Sequence, residues 1–260
     1  MITEAIVLAG GLGTRLKSVV SDLPKSLAPI AGKPFLAYLL DHARHQGITK
    51  FIFALGYKSD QIESFVKDYL ADGTFTFSVE EEPLGTGGAI YKACKKVSKE
   101  DAIVLNADTF FGVPLHQLVT QYKNNKAACT LALKPMQHFD RYGVVEINAQ
   151  SRVIGFSEKK YHDTGLINGG VYALSVAAFL QKSFQPVFSF EKDYLEKEFN
   201  RETITGLISN AYFIDIGIPE DFQRAQTELV SSLATGEFQS AVKANPSAAN
   251  DKNHIPDTDV

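Results

Sequence analysis

The chain has 260 residues, 45% hydrophobic and 22% charged, with a formal net charge of −4 at pH 7. That composition supports a sizeable core in one large domain, and the acidic balance argues against general nucleic-acid binding. Cys94 and Cys129 are too few for a disulfide framework and lack metal-ligand company, so both read as reduced thiols. No apolar run reaches membrane-spanning length, and no basic stretch with a cleavage site opens the sequence; a cytoplasmic chain with no membrane partner is expected.

Ile6-Val7-Leu8 reads as a buried strand. Residues 34–46 follow as a helix: Pro34 sits early, Phe35, Leu36, Leu39, Leu40 and Ala43 share a face, and Gly47 can end it. A second strand spans 51–55. A second helix spans 60–70, with Ile62, Phe65, Val66 and Tyr69 on one side. A strand at 75–79, a helix at 86–97 and a strand at 102–105 continue the alternation. Such strand–helix–strand units predict an α/β, Rossmann-like sheet, mostly parallel, with helices on both faces. The second half changes character. Shorter strands are expected at 128–134, 143–147, 153–157 and 170–174, a helix at 189–200 and a strand at 211–214. The expected organisation is a single domain over 1–230, divided into a nucleotide-binding half (1–127) and a mixed half (128–230) that extends the sheet. Residues 231–260 hold few large apolar side chains and read as a flexible tail.

The first strand runs into "LAGGLGTRL" at 8–16. A glycine-rich turn after a strand lets backbone N–H groups approach a phosphate or a base. A Walker loop needs Gly-Lys-Ser/Thr and the dinucleotide fingerprint needs G-x-G-x-x-G; neither is present. Glycine clustering alone is compatible with a plain turn. Arg15 and Lys25 strengthen the signal, because two cations flanking the loop suit a triphosphate. None of the six histidines is spaced as a metal site.

Eight segments together carry a resemblance. They are "LAGGLGTRL", "PKSLAPIAGKPFL" (24–36), "EEPLGTGGAI" (81–90), "VLNADTFF" (104–111), "RYGVV" (141–145), "FSEK" (156–159), "INGGVY" (167–172) and "FIDIGIPEDF" (213–222). In this order they resemble the sugar-1-phosphate nucleotidyltransferases over roughly residues 3–228. The resemblance implies a nucleotide-diphospho-sugar transferase fold of the GT-A-like kind. It also implies a reaction of a nucleoside triphosphate with a sugar 1-phosphate, giving a nucleotide-sugar and pyrophosphate.

Carried over residue by residue, Leu8, Gly10, Gly11, Gly13, Thr14, Gly85, Thr86 and Asn106 would bind the nucleotide. Arg15 and Lys25 would be catalytic, on the triphosphate and the attacking phosphate. Asp108 and Asp215 would hold Mg²⁺, although a lone strand-end aspartate otherwise reads as a turn or cap. Gly143, Glu158, Lys159, Asn168 and Gly169 would line the sugar pocket, although Glu158-Lys159 otherwise reads as an exposed charge pair. Thr86 is also a candidate helix cap. One of Glu80, Glu81 and Glu82 could accept from a guanine, although the run otherwise reads as a solvated edge. The family usually has Asn-Gly-Asp where this chain has Asn106-Ala107-Asp108; the added methyl is expected to be tolerated.

Within the family the segments resemble the branch that uses GTP and a manno-heptose 1-phosphate. Uridylyl or thymidylyl transfer to a hexose or N-acetylmuramate 1-phosphate stays open, as does an inactive nucleotide-sugar sensor. A homo-oligomer also stays open, since family members are variously monomeric, dimeric or higher.

Overall fold

The computed structural model describes residues 1–11, 16, 20 and 22–234. Strand β1 (Glu4–Leu8) lies in the middle of the sheet. It pairs in parallel with β4 (Lys50–Leu55) on one side and β6 (Asp101–Asn106) on the other. Between β1 and β4 come a 3₁₀ turn (Lys25–Leu27), a small ribbon of β2 (Pro29–Ile30) and β3 (Lys33–Pro34), and helix α1 (Phe35–His45). Helix α2 (Ser59–Tyr69) leads to β5 (Phe75–Val79), which closes that edge in parallel with β4. Helix α3 (Gly85–Cys94) returns the chain to β6.

Strand residues point alternately to the two faces. Ala5 and Val7 therefore pack with Leu36, Leu39, Ile62 and Val66 of α1 and α2, whereas Ile6 packs with Ala89, Ile90 and Ala93 of α3. Two covered faces account for the unbroken apolar runs, as expected of parallel strands. Cys94 and Cys129 are buried free thiols, and burial pushes the Cys94 thiol up to about 12.

Beyond β6 come β7 (Thr109–Phe111), helix α4 (Leu115–Asn124) and β8 (Cys129–Phe139), then β9 (Val144–Ile147), β10 (Val153–Ser157) and β11 (His162–Ser175). The chain continues through α5 (Val176–Leu180), a π-helical turn (Phe190–Leu195), α6 (Glu196–Glu198), β12 (Ile204–Ile208), β13 (Phe213–Asp215) and α7 (Pro219–Ala234). β11 is antiparallel to β6, β8 and β9, and β12 adds to β8 in parallel. Among the described residues, nine strands thus form one mixed sheet.

The expected strand at 170–174 begins eight residues earlier, and the one at 128–134 continues to Phe139. Two helices not anticipated, α4 and α7, bury Leu115, Leu118 and Tyr122 and Phe222, Ala225 and Leu229 respectively. The helix expected over 189–200 is a π-helical turn followed by one turn of α-helix. α7 runs on to Ala234, so the first four residues of the expected tail are helical; 235–260 lie outside the described residues. Among the described residues no helix is long and apolar enough to cross a membrane.

Candidate active site

A cleft of about 710 Å³ opens at the carboxyl ends of β1, β4 and β6, lined there by Leu8, Ala54 and Asn106. Crevices outside the carboxyl ends of parallel strands are where open α/β sheets take ligands. Gly10 and Gly11 line the cleft above β1. A Cβ at Gly10 would stand 2.9 Å from the Gly56 backbone nitrogen, so the turns after β1 and β4 touch backbone to backbone. Gly13, Thr14 and Arg15 lie outside the described residues.

The wall above α3 is set by a loop in the mixed half. Gly85 has φ +71°, and a Cβ there would stand 2.5 Å from the Phe188 carbonyl oxygen. The Phe188 and Gly87 N–H groups donate to the Leu84 and Phe188 carbonyls at 3.0 and 2.9 Å. Thr86 does not cap α3. Its hydroxyl accepts from the Phe190 N–H at 3.0 Å, because the π-helical turn lies against the start of α3. Glu80, Glu81 and Glu82 also line the cleft. Glu80 accepts from the Leu84 N–H at 2.8 Å. Burial raises its carboxyl above the usual range, against the lowering effects of that bond and of Lys92.

The floor is a charge cluster. Asp108 directly precedes β7 and Asp215 ends β13; the antiparallel register of this ribbon pairs Asp215 with Thr109 and so brings the two carboxylates together. Lys25, at the start of the 3₁₀ turn, reaches between them, with Nζ 2.8 Å from Asp108 Oδ2 and 3.5 Å from Asp215 Oδ1. The lysine is 14% exposed, against 45% and 22% for the aspartates, so the carboxylates open toward the cleft and the ammonium lies beneath them. Asp215 Oδ1 also accepts from the Gly217 N–H at 2.7 Å. A Cβ at Gly217 would stand 2.8 Å from that oxygen and 3.1 Å from Lys25 Nζ. Ala107 is 1% exposed and packs in the core as well as lining the cleft, so its methyl is accommodated.

Asp108 and Asp215 are the carboxylates that could hold a divalent cation. Among the described residues no group of three or more His, Cys, Asp or Glu side chains forms such a site. A pair of carboxylates suits a cation that takes its remaining ligands from water and substrate phosphates, as Mg²⁺ does.

The expected sugar residues fall outside the cleft lining. A Cβ at Gly143 would meet the Ser157 carbonyl oxygen at 2.6 Å, and one at Gly169 would meet the Phe111 ring at 2.3 Å, so close packing needs both glycines. Glu158 and Lys159 are exposed between β10 and β11. Asn168 sits inside β11, where its pairing with β8 shifts register. Its Nδ2 donates to the Tyr172 hydroxyl at 2.8 Å and to Glu191 Oε1 at 2.7 Å. Glu191 neighbours Phe190, the residue bonded to Thr86, so this chain of contacts links the two halves.

Arg141, Tyr142 and Glu191 were not singled out in the sequence. Tyr142 donates its hydroxyl to Asp215 Oδ2 at 3.3 Å, and Arg141 Nη2 lies 3.6 Å from the same oxygen. Burial, then the charge on Asp215, raises the Tyr142 hydroxyl well above its ordinary value. "RYGVV" contained the signal for the first two; Glu191 stands in no quoted segment.

A cleft over a parallel sheet, with two carboxylates and a lysine on its floor, has groups that can hold phosphates and a cation. The chain belongs to the nucleotidyl transferase family, whose model matches residues 4–232. It is 51% identical over 226 residues to D-glycero-alpha-D-manno-heptose 1-phosphate guanylyltransferase of Aneurinibacillus thermoaerophilus, covering 87% of this chain and 98% of the relative. It is 46% identical to the protein of the same name from Campylobacter jejuni, over 84% of this chain and 96% of that one. The crystal structure of HddC from Yersinia pseudotuberculosis complexed with GMP-PN matches with a TM-score of 0.78 and 37% identity, over 88% of this chain and 100% of that chain.

Proposed function

We propose that this chain transfers GMP from GTP to D-glycero-α-D-manno-heptose 1-phosphate in the cytoplasm, releasing pyrophosphate and supplying GDP-heptose for a surface glycan. The near full-length similarity to two heptose 1-phosphate guanylyltransferases supports the choice of substrates. The observation that carries the chemistry is Lys25 held between Asp108 and Asp215 on the floor of the cleft.

The sugar phosphate is mostly a dianion near pH 7, with a second pKa of about 6, so it needs no general base. One of its oxygens attacks the α-phosphorus of GTP in line, a new P–O bond forms, and the bond to pyrophosphate breaks. The protein's work is positioning and charge neutralisation. Lys25 holds the attacking phosphate against the α-phosphate, and Arg15 meets the triphosphate. Asp108 and Asp215 would hold Mg²⁺, which would supply neutralisation of the phosphate charge. Gly10, Gly11 and Gly85 bring backbone against the nucleotide, and a carboxylate of the 80–82 run accepts from the guanine N–H groups. Asn168 and Glu191, bonded to each other at 2.7 Å outside the cleft lining, are the polar pair assigned to the sugar hydroxyls.

Pyrophosphate release from a grid of four triphosphates against several sugar 1-phosphates tests this reading. GTP with the manno-heptose 1-phosphate is expected to be fastest. UTP or dTTP outperforming GTP with every sugar would move the chain to another branch, and no turnover with any pair would favour a sensor.

A further inference from the structure

Asp221 is a buried carboxylate that the cleft lining does not include. It lies in the first turn of α7 and is 8% exposed. Two guanidinium groups converge on it: Arg224 Nη1 donates to Oδ1 at 2.8 Å, and Arg141 Nη1 donates to Oδ2. Arg224 has a second carboxylate of its own, since its Nε and Nη2 form a fork on Glu228 at 3.0 Å each. Asp221 therefore serves chiefly as the counter-charge of Arg141.

Arg141 also faces the floor of the cleft. Its Nη2 stands 3.6 Å from Asp215 Oδ2, too far for a hydrogen bond. The Tyr142 ring centre lies 5.4 Å from its guanidinium carbon. Asp215 thus has a cation on each flank, Lys25 toward Oδ1 and Arg141 toward Oδ2. Guanidinium and carboxylate favour a two-pronged pairing. A guanidinium released from Asp221 could close the gap and occupy the oxygens a divalent cation needs. Even without moving, it would stand beside that cation as an uncompensated positive charge.

We propose that Asp221 is a positioning residue for the cation site: by holding and neutralising Arg141 it keeps the Asp215 carboxylate available to a divalent cation. This rests on the reading of Asp108 and Asp215 as cation ligands. Asp221 acts through Arg141, so the effect of losing its charge must depend on Arg141 being present. A purely structural ion pair would couple the two substitutions in thermal stability while leaving Mn²⁺ binding by the folded protein unchanged.

Mn²⁺ binding, followed by electron paramagnetic resonance with a non-hydrolysable GTP analogue present, reads the site without turnover. Asp221→Asn is expected to weaken Mn²⁺ binding about tenfold, the scale of one uncompensated charge about 6 Å from a divalent cation when screened nearly as in water. The double variant Asp221→Asn with Arg141→Gln is expected to return to within about threefold of wild type. Arg141→Gln alone leaves Asp221 paired with Arg224, so it avoids an unpaired buried charge and should fold even if Asp221→Asn does not. It is expected to bind Mn²⁺ at least as tightly as wild type. Wild-type affinity in Asp221→Asn, no recovery in the double variant, or weaker binding in Arg141→Gln would each overturn the proposal. Asp215→Asn is the control: if it binds Mn²⁺ like wild type, the cation-site reading itself fails, and the inference with it.

Discussion

Gly85→Ala joins the backbone at the rim of the cleft to its function. Gly85 has φ +71°, and its Cβ position is 2.5 Å from the Phe188 carbonyl oxygen and 3.1 Å from the carbonyl carbon. Alanine in this left-handed region costs about 1 kcal/mol. Relieving the contact moves Phe188, which is bonded to Leu84 at 3.0 Å and to Gly87 at 2.9 Å. Weakening both bonds costs about 1 kcal/mol each, bringing the total near 3 kcal/mol. For a chain of this size that lowers Tm by roughly 6–12 °C. Two residues on, the Phe190 N–H donates to Thr86 at 3.0 Å, so the cleft wall moves as well. Thermal unfolding by circular dichroism reads the first effect, and KM for GTP the second. KM is expected to rise more than kcat falls, because the lost contacts act in ground and transition states alike. A Tm within about 2 °C of wild type, with KM unchanged, would refute the reasoning.

Lys25→Ala removes the ammonium that meets both floor aspartates. Turnover by steady-state pyrophosphate release should fall about 10²–10³-fold, and a fall of less than about tenfold would contradict its role on the reacting phosphates. His42 packs on Phe110 with ring centres 5.1 Å apart and meets Gln46 at 2.7 Å. Burial, then the charge of His45, lowers its pKa from 6.5 to about 4. The unfolded chain therefore takes up this proton first as pH falls, so the stabilisation is complete above 6.5 and is lost on the way down to about 4. This group accounts for up to about 3 kcal/mol over that window. Urea unfolding at several pH values should show a shallower dependence in His42→Gln; the same slope as wild type would show that His42 does not contribute.

The sheet was legible where strands are buried on both faces. Apolar runs such as Ile103-Val104-Leu105 have no other reading once helical stretches separate them. The long β8 and β11 were not, because polar residues such as Lys134, Gln137 and His138 interrupt the apolar pattern on strands that leave the core. Helix α4 was readable in principle, since Leu115, Leu118, Val119 and Tyr122 follow helical spacing. Lys25, Asp108 and Asp215 were found by motif, but their meeting depends on the β7–β13 register, which joins residues over a hundred positions apart. Gly143 and Gly169 each avoid a packing clash, a constraint that motif spacing does not show. Asp221 stood in a quoted segment, but only the fold shows that it faces Arg141.

The central claim is heptose guanylylation, and competition tests it most directly. Equimolar D-glycero-α-D-manno-heptose 1-phosphate and mannose 1-phosphate are mixed with limiting GTP, and the nucleotide-sugars are counted by mass spectrometry. The product ratio reports the ratio of kcat/KM values, free of errors in enzyme concentration. A site that bonds the extra hydroxyl of the heptose rejects the sugar lacking it, because its own polar groups are left unpaired. GDP-heptose is expected to be the dominant product, and GDP-mannose in equal or greater amount would contradict the account.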